Sequence, residues 1–116
     1  MADNKLADLS TEFAVQILKL TDSIKGHYSL ANQLERSGTS IGANIREAQY
    51  AHGKPDFIAK LQIALKEANE TGYWLELLYK TNYIDEQTYK SLDSACASIR
   101  VILIASISTA KENNEN

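Results

Sequence analysis

Along four separate stretches of this chain apolar residues return every third or fourth position, and no useful length alternates with period two. Such spacing lines the apolar side chains along one face of an α-helix and gives no strand. The first stripe is Leu9, Phe13, Ile17, Leu20 and Ile24, which predicts a helix from Leu9 to about Lys25. Ser10 and Thr11 are placed to cap its start, and Gly26-His27 to stop it. The second, Leu30, Leu34, Ile41, Ile45 and Ala48, predicts a helix from Ser29 to about Tyr50. The only proline, Pro55, suits the first turn of a third helix that runs to about Lys80 with the widest apolar face. Asp85 is a good N-cap for a last helix through Leu92, Cys96, Ile99, Leu103 and Ile107.

Four helices joined by short connections predict an all-α, antiparallel up-down-up-down four-helix bundle. At 116 residues the chain suffices for one domain spanning 1–116, with about 1–8 and 112–116 expected to fray. The balance of 12 Lys+Arg against 15 Asp+Glu, formal charge −3, argues against a dedicated nucleic-acid binder. A lone cysteine, Cys96, permits neither an intrachain disulfide nor a cysteine-based zinc site, which suits a reducing cytosol. No N-terminal stretch has the pattern of a signal peptide, and the apolar run Val101 to Ala105 is too short to span a bilayer. A cytoplasmic location without membrane contact is expected.

Residues 36 to 44, RSGTSIGAN, carry the main ambiguity. Gly38-Thr39-Ser40-Ile41-Gly42 spells G-x-S-x-G, the nucleophile elbow of a hydrolase, and also G-x-x-x-G, a close-packing signal between helices. An elbow needs a strand before its serine, and the triad order needs an acid and then a histidine after it; only His52 follows. Ser40 is therefore not expected to be a nucleophile. A glycine inside a helix costs about 1 kcal/mol relative to alanine, so two of them one turn apart need a reason. Close approach of a neighbouring helix supplies one; spacing leaves open whether that helix belongs to the same chain.

The remaining polar candidates are Asn44 and Glu47 on the second helix and Lys66, Glu67 and Glu70 on the third. A dinuclear iron bundle wants Glu-x-x-His motifs, and none occurs, so no metal or other cofactor is expected. Tyr73 and Trp74 have the chemistry to stack on nucleobases, but core or subunit contact is the commoner use of aromatics on an apolar helix. Arg36, Arg46, Lys54 and Lys60 form a candidate basic cluster for contact with nucleic acid.

RSGTSIGANIREA (36–48), DFIAKLQIALKEANET (56–71) and YWLELL (73–78) resemble the bacterial four-helix bundle family of 23S rRNA intervening-sequence proteins. The similarity runs from about Phe13 to Thr109. The resemblance implies a homopentamer, and it relates the chain to the basic accessory protein of diversity-generating retroelements, which works with nucleic acid. It brings no catalytic residues. At the motif positions Ser40, Asn44, Glu47, Lys66, Glu67, Glu70, Tyr73 and Trp74, structural or interfacial roles are expected.

A noncatalytic homo-oligomeric scaffold or interaction protein is therefore the first functional expectation, its partner another copy of itself. The alternative is an RNA- or DNA-binding accessory protein acting with a nucleic-acid-processing partner, its contacts weak and salt-sensitive. No small-molecule substrate is implied.

Overall fold

The computed structural model describes residues 2–113, with side chains from Lys5 to Glu112. Four helices follow one another: α1 (Ala2–Ser23), α2 (Tyr28–Gln49), α3 (Lys54–Lys80) and α4 (Glu86–Asn113). Each packs on its sequence neighbours, and α4 closes the bundle against α1 through its thinnest seam. The result is an all-α up-and-down bundle shaped as a rod of 52 × 21 × 19 Å.

The turns follow local chemistry. Gly26 (φ 103°) and Gly53 (φ 99°) take left-handed backbone that glycine enters without a Cβ penalty, on either side of α2. Asp85 Oδ1 accepts the Thr88 backbone N–H at 2.8 Å, an N-cap for α4. That hydrogen bond to the carboxylate holds the Asp85 pKa below its ordinary value.

Residues 2–8 are helical rather than frayed, with Leu6 only 1% exposed. The true stripe of α1 runs Leu6, Ser10, Phe13 and Ile17, with Ile24 buried just past its end, while Leu9 and Leu20 sit half-buried on its flanks. Ser10 is no N-cap either. It is buried in mid-helix, and its Oγ donates to the Ala7 carbonyl at 2.9 Å. At the other end Glu112 and Asn113 belong to α4, and the remaining tail lies outside the described residues.

The core is one column of side chains, with Phe13 and Ile17 from α1, Leu34 and Ile41 from α2, Leu75 and Leu78 from α3, and Ile99 and Leu103 from α4. Alone among the described helices, α4 is long and apolar enough to cross a membrane by composition. The Val101–Ala105 run understates it, because alanines, serines and Cys96 extend the stretch from Ser94 to Ala110 with Arg100 as its one charged residue. Here α4 is a bundle helix with one stripe in the core, and only 28% of its apolar window is buried.

Candidate functional site

Alpha2 owes its close packing to small residues. A Cβ built on Gly38 would lie 3.0 Å from Ile17 Cγ2 and 3.1 Å from its Cγ1, tighter than ordinary contacts. One turn on, a Cβ on Gly42 would meet Ser10 Oγ at 3.3 Å and the Ser10 carbonyl at 3.6 Å. Both glycines thus face α1 of the same chain, and the buried Ser10 is the small residue that answers Gly42 across the seam. Gly38 is the more confined of the two. Ser37 points the other way, toward α3, where its Oγ lies 2.9 Å from Thr71 Oγ1; both residues are wholly buried. Thr71 Oγ1 is also 2.7 Å from the Glu67 carbonyl. With a single proton, Thr71 donates to that carbonyl and accepts from Ser37.

Ser40 Oγ donates to the Arg36 carbonyl at 2.7 Å, and Asn44 Nδ2 donates to the Ser40 carbonyl at 2.9 Å. These bonds run back along the helix itself and bring no general base to the serine. There is no strand beneath it, only a helix.

The basic candidates separate on folding. Arg36 spans to α3, where its guanidinium pairs with Glu67 at 3.3 Å and with Glu70. Lys60 pairs with Glu47 at 3.3 Å across the same α2–α3 seam. Glu70 thereby serves Arg36 rather than the Lys66 four residues before it, while Glu76 and Lys80 do pair along α3 at 2.9 Å. Neither Arg46 nor Lys54 joins a salt bridge among the described residues. One turn on from Glu70 lies Trp74, whose indole Nε1–H is buried with no acceptor among those residues, and whose ring lies 5.2 Å from that of the exposed Tyr73.

Arg100 on α4 lies against Gly72 of α3: a Cβ there would come within 3.4 Å of Arg100 Nη1. Its guanidinium reaches Cys96 Sγ at 3.6 Å, and that sulfur faces the Ala68 carbonyl at 3.3 Å. Burial pushes the Cys96 thiol up to about 11, against a smaller opposing pull from Arg100. A thiol held protonated this way is a poor nucleophile. Among the described residues no three His, Cys, Asp or Glu side chains gather as a metal site would require.

The least expected surface is the outside of α4, where Val101 is 66% and Ile104 55% exposed. In sequence, Val101 and Ile104 stand out only as members of an apolar run too short to span a bilayer. The residues flanking the stripe Cys96-Ile99-Leu103 signal more, because that stripe already uses the only face a corner helix can bury.

The model of the 23S rRNA-intervening sequence protein family matches residues 2–105. The chain belongs to that family. A crystal structure of a protein of unknown function from the S23 ribosomal protein family of Bacteroides thetaiotaomicron VPI-5482 is similar, with 50% identity and a TM-score of 0.89. The similarity covers 93% of this chain and 99% of the other. No curated protein matches. Family membership thus fits the up-and-down bundle but supplies no reaction, and α2 and α3, with the family-like motifs, hold their polar side chains largely in contacts within and between these two helices.

Proposed function

We propose that this protein is a noncatalytic, cytoplasmic, homo-oligomeric helical scaffold, with a pentamer as its working form. The observation that carries this is the outer face of α4, a helix whose most apolar stretch is only 28% buried by its own chain. Val101 and Ile104 lie close together on it, and contiguous exposed apolar surface marks an interaction site more often than a scattered residue does. A membrane is a poorer cover, since Arg100 sits at the middle of that helix. The pentameric count comes from the family.

Nucleic-acid binding as an accessory role has less support. Arg36 and Lys60 are each already neutralised by glutamates of the same chain, which leaves Arg46 and Lys54 of the proposed cluster. At net charge −3, any such binding rests on few phosphate contacts and fades steeply with salt. Nanomolar, sequence-selective binding at physiological salt would favour that role over a scaffold.

Light scattering behind a sizing column tests the oligomer. A mass near five times 12.9 kDa at micromolar concentration is expected, and a mass near one subunit would overturn it.

A further inference from the structure

The outer faces of α1 and α4 share a pattern that the fold does not use. On α4 the outward residues Ser94, Ala97, Val101, Ile104 and Ser108 follow steps of three and four, a heptad seam of small and apolar side chains. The next step of that seam is the exposed Lys111. On α1 the outward residues Thr11, Val15 and Leu18 follow the same steps, with Val15 and Leu18 each 45% exposed. That seam is closed at its two ends by the exposed Asp8 and Asp22. Among the described residues, Asp8, Asp22 and Lys111 join no salt bridge.

These seams diverge. Leu18 leans toward α2, where it lines a groove with Thr21, Tyr28 and Glu35. The α4 seam leans toward α3, the side on which Arg100 lies against Gly72. One flat partner cannot cover both, so a single copy must offer them to two different neighbours. A contact that joins unlike patches is heterologous, and it closes into a ring when the rotation between copies permits.

We propose that the α4 seam of one copy docks antiparallel on the α1 seam of the next. This rests on the homo-oligomeric scaffold proposed above and specifies its contact. Setting Ile104 opposite Val15 places Val101 opposite Leu18, Ser108 opposite Thr11 and Lys111 opposite Asp8. The apolar centres then coincide, and the base at the end of one seam meets the acid at the end of the other. Arg100 falls within one turn of Asp22 at the other end. With α4 reversed, the register that keeps the apolar centres paired, Val101 opposite Val15 and Ile104 opposite Leu18, sets Lys111 opposite Lys25 instead of an acid.

Two tests read the contact. Leu18→Cys and Val101→Cys in one chain, oxidised and run on a denaturing gel without reductant, should give a ladder of covalent multimers. Either substitution alone should give none, because like residues do not meet in a heterologous contact; the buried native Cys96 stays silent. Charge reversal is the second test. Asp8→Lys should shift the sizing profile toward monomer, and adding Lys111→Asp should restore the assembled mass, with helical circular dichroism unchanged throughout. Self-cross-linking of a single variant would overturn the proposal, as would a native-mass assembly whose double-cysteine form yields no ladder, or a charge swap that fails to restore. In those cases the scaffold stands with a different contact, whereas a monomeric wild-type mass overturns both.

Discussion

Two regions of this bundle are built from the same kind of sequence and end in opposite situations. On α2, small residues at Ser37, Gly38 and Gly42 are met by Thr71, Ile17 and Ser10 of the same chain. On α4, Ala97, Val101, Ile104 and Ser108 also follow a helical period, yet Val101 and Ile104 remain more than half exposed. A periodic small or apolar seam therefore marks a contact without naming the partner. What decides is how many seams a helix carries. In a four-helix bundle each corner helix buries one broad stripe, and the proposed scaffold covers the second stripe of α4 with another copy.

The comparison breaks most visibly within α4 itself. Leu103→Ala removes a fully buried side chain and should cost about 2–5 kcal/mol in denaturant unfolding at fixed protein concentration. Val101→Ala, two residues away, should leave the fold of the single chain intact and weaken association instead. Comparable losses of intrinsic fold stability in both would show that the outer face of α4 is packed within the chain.

Next in size is the α1–α2 seam. Gly38→Leu forces several carbons into the space held by Ile17, and overpacking of that kind typically costs about 1–3 kcal/mol or more. Gly38→Ala should be milder, its gain in helix propensity offset by the displacement of Ile17. Gly42→Ala, facing the softer Ser10, should be near neutral. Thermal melts of the three variants check this ranking, and equal stability of Gly38→Leu and wild type would show that the seam is open.

Much of this architecture is legible in sequence because apolar period and turn chemistry agree: Pro55 opens α3, Asp85 caps α4, and Phe13, Ile17, Leu34 and Ile41 fall in the core. What escapes has one physical cause, that small polar residues pass as surface. Ser10 interrupts the apolar stripe of α1 and so conceals that the helix starts before Leu6. Thr71 and Ser37 look like solvated positions until their mutual hydrogen bond places them in the core. The pairing of Arg36 with Glu67 and Glu70 joins residues more than thirty positions apart in sequence, and no local pattern announces it.

A smaller effect tests that buried polar pair. Thr71→Val keeps the volume but removes the hydroxyl that receives the Ser37 proton, and should cost about 1–3 kcal/mol. Ser37→Ala on top should then cost little more, since the Ser37 hydroxyl keeps only the long 3.4 Å contact with the Leu34 carbonyl. Additive losses in this double-mutant cycle would show that the two hydroxyls act independently.

The smallest effect concerns pH. Burial pushes the Cys96 thiol up to about 11 from its ordinary 9.0, so the folded state holds its proton longer than the unfolded chain does. Its contribution to stability is complete below pH 9 and is lost as pH rises toward 11. Between those values wild type should lose more stability than Cys96→Ala loses, measured by paired urea titrations. Parallel curves would show that the thiol is solvated.

The central claim is that another copy covers the outer face of α4. Sedimentation velocity of wild type beside a Val101→Asp/Ile104→Asp variant tests it most directly, with circular dichroism to confirm that both are folded. Wild type should sediment as a single multimer and the variant as a helical monomer, because two carboxylates cannot be buried in an apolar contact without partners. A variant that keeps the wild-type sedimentation coefficient would show that assembly does not use that face.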